Sequence, residues 1–520
     1  MKLIRGFATV GAMTIVSRVL GFVRDVLMAA LLGTSYVADA FFVAFRIPNT
    51  FRRLFAEGAF DAAFIPVFAR RLHADGPEAA RAFASRALSG LTVLLVAVTV
   101  LAEIAMPWLM LVLAPGFRSD PAKFDLAVLL ARIALPYLVC MSLVALYAGV
   151  LNALGRFAIA AFTPSLLNVV LIAVLLGLIA TGNFEQSKAG VALAWGVALS
   201  GLLQIVVVVA AAARVGMRLA FARPRLTPDM KRLLALSMPG IIAGGMAQLT
   251  VLIGTIIATL QDRVVSLLYY AERIFQLPLG VIGVAVGVVL LPELAHKLRS
   301  GDHQAVVASE NRALEFALLL TLPATAALFL AAEPIMRVLF ERGAFTAADT
   351  QAAAQMLAAM ALGLPAYVLI KVLHPSFFAR EDTKTPMIFA GIGMAANVVL
   401  SLALFFGVGA VGIAWAVTLS GWLNAALLAG SLARRGEFAL DARFRRAFLG
   451  ILAATITMGL AVWALVAILN PWFAATNGFV VKGAGLAALV SAGFGIYLAS
   501  AQIFGAAKIQ SVFKLLLPSK

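Results

Sequence analysis

The sequence contains one cysteine, Cys140, and only four histidines in 520 residues. A single thiol cannot form an internal disulfide or a thiolate metal cluster, and the histidines are scattered without the spacing of metal ligands. The G-x-x-x-x-G-K-[ST] phosphate loop is also missing, so ATP is not expected to be the direct energy source. These absences predict a protein without a metal or cofactor, and nothing in the sequence indicates an enzyme.

Charged residues are scarce as well, at 12%, whereas 63% of the residues are hydrophobic and the mean hydropathy is +1.02. Such a chain cannot hide its apolar surface in a water-soluble fold, so we expect a polytopic membrane protein. A helix needs about 20 mostly apolar residues to cross the hydrocarbon core, and helices satisfy their own backbone hydrogen bonds there. The fold class is therefore predicted to be all-α, with about fourteen transmembrane helices. The predicted spans are 8–33, 36–61, 88–113, 126–151, 159–181, 189–213, 233–260, 265–292, 313–333, 348–370, 386–407, 409–432, 447–469 and 480–507.

The net charge of +17 is explained by membrane topology rather than by nucleic-acid binding. If the amino terminus is cytoplasmic, the loops on that side hold most of the loop lysines and arginines, as the positive-inside rule requires. Lys2 and Arg5 precede the first apolar stretch, but that stretch has internal charges and no small-residue cleavage site, so it is not read as a removable signal peptide. Both termini are predicted to be cytoplasmic.

Several charged residues fall inside the predicted spans. A charge at the centre of an isolated span costs roughly 2.5–3.5 kcal/mol, so such residues should face a bundle interior or a water-filled cavity. At 100° per residue, Arg18 and Asp25 share one face of the first helix, which is predicted to line a cavity. The basic residues in the spans are Arg18, Arg24, Arg46, Arg52, Arg53, Arg132 and Arg273. Their acidic companions are Asp25, Asp39, Glu57, Asp61 and Glu272.

An internal repeat relates the two halves of the chain. Six helices per repeat would give both halves the same orientation, as in two-lobed transporters. We therefore predict two pseudo-symmetric six-helix lobes, 1–213 and 233–432, followed by two additional helices in 447–507. The matching segments are LPYLV (135–139) with LPAYV (364–368), NVVL at Asn168 with NVVL at Asn397, and AWGVALSGLLQ (194–204) with AWAVTLSGWLN (414–424).

The second lobe adds its own cation, Arg273, in the segment YYAERIFQLPLG, and Pro48 and Pro278 are predicted to be matching bends. Arginines from both lobes are thus expected to line one central space. A guanidinium keeps its charge and matches phosphate oxygens in bidentate fashion, so a diphosphate is the expected ligand. The alternative is that Arg24 and Arg273 form interhelical ion pairs with their acidic neighbours.

Four segments carry a specific family resemblance: SRVLGFVRD, ADAFFVAFRIPNTFRRLFAEGAF, YYAERIFQLPLGVIGVAVG and FFAREDTKTP. They resemble the MurJ (MviN) lipid II flippases of the multidrug/oligosaccharidyl-lipid/polysaccharide exporter superfamily. The resemblance implies a bacterial inner-membrane protein that moves undecaprenyl-diphosphate-linked disaccharide-pentapeptide to the outer leaflet for peptidoglycan synthesis. It further implies that the last two helices form a groove for the lipid tail. The residues it implies for substrate binding are Arg18, Arg24, Arg52 and Arg273, with supporting charges Asp25, Asp39, Arg53, Glu57 and Glu272.

The sequence departs from some relatives at Gln276, where they carry a glutamate, and this puts a coupling role for that carboxylate in doubt. Relatives with a sodium site use a carboxylate in the seventh or eleventh helix, whereas the eleventh helix here offers Asn397 and Ser401. Alternatives are a drug or organic-cation antiporter, which should line its cavity with carboxylates, a polysaccharide-lipid flippase, and a non-transporting scaffold for cell-wall enzymes. Lipid II, membrane lipids and cell-wall synthesis enzymes are the expected partners.

Overall fold

The computed structural model describes residues 2–56, 59–182, 185–223, 227–299 and 303–506. Every regular element in these ranges is a helix, and short 3-10 turns at Pro115–Ser119 and Asn470–Phe473 join longer α-helices. The α-helices are α1 (Lys2–Leu32), α2 (Tyr36–Ala56), α3 (Ala59–Ala74), α4 (Gly76–Leu113), α5 (Pro121–Ala134), α6 (Tyr137–Ala153), α7 (Phe157–Thr181), α8 (Gln186–Arg214), α9 (Pro228–Ala258), α10 (Val264–Arg299), α11 (His303–Leu330), α12 (Ala332–Phe340), α13 (Ala347–Ala361), α14 (Leu364–Phe378), α15 (Lys384–Val408), α16 (Val411–Arg434), α17 (Ala442–Leu469) and α18 (Phe479–Ile503).

Among the described residues, ten helical segments are long and apolar enough to cross a membrane. The predicted all-α, polytopic membrane architecture is therefore confirmed, while the count of about fourteen spans stays a prediction. α2 is not among the ten, because Asp39 and three arginines interrupt its apolar sequence.

Several helices are longer than the spans predicted for them. α4 begins at Gly76 rather than at residue 88, and α10 continues to Arg299 rather than ending at residue 292. Hydropathy marks the part of a helix that fits the hydrocarbon core, whereas a helix can continue into water with polar residues on its surface. Pro48 and Pro278 interrupt neither α2 nor α10.

The chain divides into two compact units. Unit 1 comprises Met1–Ser266 together with Arg342–Phe345, and unit 2 comprises Leu267–Glu341 together with Thr346–Lys520. The lobes predicted from the repeat, 1–213, 233–432 and 447–507, stay a prediction, because a division by packing and a division by repeat measure different properties.

Each unit contains one span that is broken at a repeated sequence. In unit 1, Leu135 and Pro136 separate α5 from α6, and in unit 2, Leu362 and Gly363 separate α13 from α14. Proline lacks the N–H that an uninterrupted helix would use, which explains the break before α6. Both breaks lie at or beside the LPYLV and LPAYV segments, so the repeat extends from sequence to helix geometry.

Within unit 1, α1 packs along α7, and α2 packs against α5, α6 and α8. The turn after α1 is held by a close backbone approach, since Ala344 N donates to Ala30 O at 2.8 Å. Gly33 has a φ of +56°, and a Cβ on it would lie 2.3 Å from Ala344 O, so only glycine fits there. These contacts fix the helices that carry the charged residues of the first unit.

Candidate functional site

Arg24 is a buried cation in the part of α1 that the sequence predicts to span the membrane. Its side chain binds Asp25 with two donors, Nε at 3.0 Å and Nη2 at 2.7 Å from Oδ1. Arg24 is 7% exposed and Asp25 is fully buried. The attraction between two buried charges of opposite sign offsets much of the free-energy cost of removing each from water.

Asn168 on α7 also binds Arg24. Its Oδ1 accepts from Arg24 Nη1 at 3.1 Å, while its Nδ2 donates to the carbonyl oxygen of Ser17 at 3.0 Å. One amide therefore binds both the guanidinium and the backbone of α1. The orientation of the Arg24 side chain is therefore fixed by contacts from two helices, α1 and α7.

The other predicted binding residues of α1 and α2 are less enclosed or are not described. Arg18 is exposed and lies about 1.7 turns before Arg24 on α1. Arg52 and Arg53 belong to α2, but their side chains lie outside the described part of the structure, and Glu57 lies outside the described residues. The structure thus brings together Arg24 and Asp25 from the predicted set in unit 1.

Asp39 lies in a separate, fully buried polar cluster of unit 1. Its Oδ2 accepts from Lys123 Nζ and from the backbone N–H of Arg263, both at 2.9 Å. Its Oδ1 accepts from the backbone N–H of Ser266 at 3.0 Å and from the Ser266 hydroxyl at 2.6 Å. Asp39 therefore caps the first turn of α10 from α2, since its carboxylate satisfies N–H groups that have no intrahelical acceptor.

Lys123, at the start of α5, is 1% exposed and also contacts Asp262 at 2.8 Å. Lys123 precedes the predicted span 126–151, and nothing in the sequence connects it with Asp39. Nothing in the local sequence distinguishes it from a solvated lysine. Its partners are supplied by segments more than eighty residues away, so only the fold could identify this ion pair.

The predicted charges of unit 2 lie side by side on α10. Glu272 and Arg273 are both half-buried, and Glu272 Oε1 accepts from Gln276 Nε2 at 2.8 Å. Gln276 is the position where some relatives carry a glutamate. Its amide orients the Glu272 carboxylate, which a glutamate at position 276 would repel. Phe275, on the same turn, packs edge-on against Tyr367 of α14.

Asn397, the repeat counterpart of Asn168, is also buried and polar. Its Nδ2 donates to Ser420 Oγ on α16 at 3.2 Å, and Ser401 lies buried on the same helix. Among the described residues, no group of three or more histidine, cysteine, aspartate or glutamate side chains could hold a metal ion. The polar chemistry of both units is that of fixed arginines, carboxylates and amides.

A sequence model of the family "Lipid II flippase MurJ" matches residues 28–481. A protein of Rhizobium meliloti (strain 1021) named "Probable lipid II flippase MurJ" is 47% identical over 98% of this chain and 96% of its own length. A solved structure titled "Lipid II flippase MurJ, inward closed conformation" has a TM-score of 0.76 and 26% identity, covering 95% of this chain and 98% of the other. An inward-facing multidrug transporter of the MATE family has a TM-score of 0.67 at 15% identity and covers 81% of this chain and 95% of its own, which is a likeness of fold alone. The chain belongs to the lipid II flippase MurJ family.

Proposed function

We propose that this protein is a transporter that flips lipid II, the undecaprenyl-diphosphate-linked peptidoglycan precursor, from the inner to the outer leaflet of the bacterial cytoplasmic membrane by alternating access. The observation that carries the proposal is the buried, doubly anchored Arg24 in a chain that matches this family over nearly its whole length. An intramembrane arginine that is held in place by an amide and a carboxylate is suited to an anionic ligand.

In this proposal Arg18, Arg24, Arg52 and Arg273 bind the diphosphate. A guanidinium offers five N–H donors in a planar fork, which fits phosphate oxygens better than a lysine ammonium does. The carboxylates beside them, including Asp25 and Glu272, hold the arginines in position while the site is empty. Arg53, Glu57 and Asp39 support the charge balance, with Asp39 acting through the α10 cap described above.

The lipid tail needs a different environment from the headgroup. Passing a long polyprenyl chain through a polar space would expose much apolar surface, so the tail stays beside the protein. We assign that role to the two additional helices, α17 and α18. The distribution of basic residues supports a cytoplasmic position for both termini, and enzymes of cell-wall synthesis would supply and consume the substrate.

A drug or organic-cation antiporter is the second candidate, because the MATE transporters share the fold. A cation-binding cavity should be lined by carboxylates that are not neutralised. The carboxylate of Asp25 is already bound by Arg24, so the described charges of α1 favour an anionic substrate.

The proposal is tested with Arg24→Ala, Arg24→Lys and Arg273→Ala in cells that depend on this flippase, and with labelled lipid II in vesicles. We expect both alanine variants to lose transport, and Arg24→Lys to keep part of it because charge survives without the bidentate geometry. Arg132→Ala is the matched control, since Arg132 is an exposed intramembrane arginine that donates to the backbone carbonyl of Glu103. Membrane abundance is measured for every variant.

A second substitution tests the charge of the site without removing Arg24. Asn168→Asp places a carboxylate beside the guanidinium, so it should compete with a diphosphate and reduce transport while the protein remains in the membrane. Asn168→Leu removes the anchor but adds no charge. Normal transport by Asn168→Asp, together with full activity of the alanine variants at native abundance, would refute the binding role.

A further inference from the structure

Unit 2 contains an apolar groove that borders α17 and lies outside the set of residues proposed to bind the diphosphate. It is enclosed by α11, α14, α16 and the first turns of α17, and its volume is about 620 Å³. We call it the α17 groove; its walls include Leu318, Leu369, Leu373, Ala426, Phe444 and Phe448. Such a space beside membrane helices fits a hydrocarbon chain better than a polar ligand.

One cation, Arg445, lies at the edge of the α17 groove. Arg445 and its neighbour Arg446 are exposed, and in the described part of the chain neither side chain has an ion-pair or hydrogen-bond partner. Nearby arginines differ in this respect. Arg435 binds Asp382 at 2.9 Å, and Arg312 binds Glu315 at 2.7 Å.

An apolar groove with an unpaired arginine at its edge is complementary to an amphipathic ligand that has an apolar chain and an anionic headgroup. A chain of a membrane lipid would fill the groove, and the phosphate of its headgroup would lie against Arg445. Charge-assisted hydrogen bonds from a guanidinium to a phosphate are about twice as strong as neutral ones. The beginning of α17 adds the positive end of a helix dipole at the same place.

We propose that the α17 groove is a binding site for an anionic glycerophospholipid, with one acyl chain among the leucines and phenylalanines and the phosphate on Arg445 and Arg446. The sequence places the basic segment that ends at Arg446 on the cytoplasmic side, where anionic lipids interact with clustered arginines. The headgroup must carry net negative charge, since a zwitterionic lipid adds a cation that the two arginines would repel. The site is independent of the arginines assigned to lipid II.

Trp422 provides a probe inside the groove. It lines the groove, is 42% exposed, and is fixed by a hydrogen bond from its Nε1 to Leu362 O at 3.0 Å. The full chain is reconstituted into vesicles of unlabelled zwitterionic lipid that contain a small fraction of either dibrominated phosphatidylglycerol or dibrominated phosphatidylcholine. Bromine quenches tryptophan on contact, and the difference between the protein and its Trp422→Phe variant isolates the signal of Trp422.

We expect brominated phosphatidylglycerol to give the same quenching of Trp422 at about one-tenth of the lipid fraction that brominated phosphatidylcholine requires. This tenfold preference corresponds to one good charge-assisted contact. The double variant Arg445→Ala, Arg446→Ala should remove this preference. Arg434→Ala, which changes an exposed arginine outside the groove, should leave it intact. Ala426→Phe fills the groove and should reduce quenching by both lipids, whereas Leu460→Phe, at an exposed position of the same α17, should not.

Three results would overturn the proposal. Equal quenching of the unaltered protein by both lipids would show that no headgroup is selected. A preference that survives in the Arg445, Arg446 double variant would locate the anion site elsewhere. Selective relief of phosphatidylglycerol quenching by added undecaprenyl diphosphate would mean that the groove holds the polyprenyl tail of the substrate and not a phospholipid.

Discussion

At the scale of single residues, Asp39 shows how a charge inside a predicted span can serve the fold. Its carboxylate accepts four hydrogen bonds and neutralises a buried lysine. Removing one partner of a buried pair leaves the other uncompensated, which is far more destabilising than removing an exposed pair.

Asp39→Asn should therefore lower the free energy of unfolding by about 3–5 kcal/mol, because an amide cannot neutralise Lys123 and its NH2 group would face other donors. Asp262→Asn is the matched control. Asp262 contacts the same Lys123 Nζ, but its side chain is 86% exposed, and exposed pairs contribute at most about 1 kcal/mol. Thermal unfolding in detergent measures both, and equal effects would contradict the structural role of Asp39.

The sequence predicted Arg24, Asp25 and Asp39 to be unusual charges within spans because each interrupts an apolar run. It could not identify Lys123, whose neighbours in the sequence are ordinary for a loop, nor pair Asn168 with Arg24. Asn168 was visible only as part of a repeated NVVL segment. Composition reveals that a charge is unusual for its place, whereas its partner depends on which helices meet.

At the scale of helices, the repeated LSG segments place a glycine where α8 and α16 approach other helices closely. A Cβ on Gly201 would lie 2.8 Å from Cys140 Cβ and 2.9 Å from Tyr137 Cδ2. A Cβ on its repeat counterpart, Gly421, would lie 3.0 Å from Tyr367 Cε2. Small residues at such contacts allow membrane helices to pack closely.

Gly201→Ala should destabilise unit 1 by about 1–3 kcal/mol through overpacking. Gly430→Ala provides the contrast, because nothing lies within 4 Å of a Cβ at that position of α16. Alanine there should be neutral or stabilise the helix by up to about 1 kcal/mol. The two variants are compared by thermal unfolding, and a loss of stability at Gly430 as large as at Gly201 would argue against close packing as the cause.

The start of α15 is stabilised by Asp382 of the FFAREDTKTP segment. Its carboxylate accepts from Thr385 N at 2.9 Å and from the Thr385 hydroxyl at 2.7 Å. The backbone hydrogen bond from Thr385, the Thr385 hydroxyl and the Arg435 guanidinium together lower the pKa of Asp382 to about 2. This motif of the family thus has a local structural purpose at a helix end.

Because the pKa of Asp382 is lower in the folded protein than the unfolded value of about 3.9, its carboxylate stabilises the fold above that pH. The stabilisation decreases as the pH falls from about 4 towards 2. Asp382→Asn should therefore be less stable than the unaltered protein near neutral pH, and the difference should shrink in acid. Glu381→Gln, at an exposed neighbouring residue, should not change the pH dependence of the unfolding temperature, and a similar effect there would refute the assignment.

At the scale of the whole molecule, hydropathy predicted the helical architecture but not the positions at which a helix is broken within a span. Each predicted span overlaps a helix or a pair of helices, including the last two. α2 and α10 continue through Pro48 and Pro278, where bends stay a prediction, whereas the span that contains Pro136 is broken. A proline removes one hydrogen bond in every case, but the packing of neighbouring helices decides whether the backbone yields.

The distribution of charge also bears on how a transport cycle could be driven. In the described structure Ala29, next to the charged stretch of α1, is 0% exposed, so a cysteine there should react with a polar thiol reagent only after rearrangement. The membrane potential acts on a charged site with about 2.3 kcal/mol per elementary charge per 100 mV. An inside-negative potential would push the anionic headgroup outward and draw the empty, arginine-rich site back towards the cytoplasm.

We therefore expect that collapsing the electrical potential, with the proton gradient kept, increases labelling of Ala29→Cys from the outside of the cell and stops transport. When bound, the diphosphate partly cancels the arginines, so the empty return step should carry most of the voltage dependence and the protein should accumulate outward-facing. Ser119→Cys, on an exposed turn, reports access of the reagent in either condition, and the parent protein with its buried Cys140 gives the background. Unchanged labelling at position 29 with undiminished transport would rule out resetting by the potential and leave an ion gradient as the source of energy.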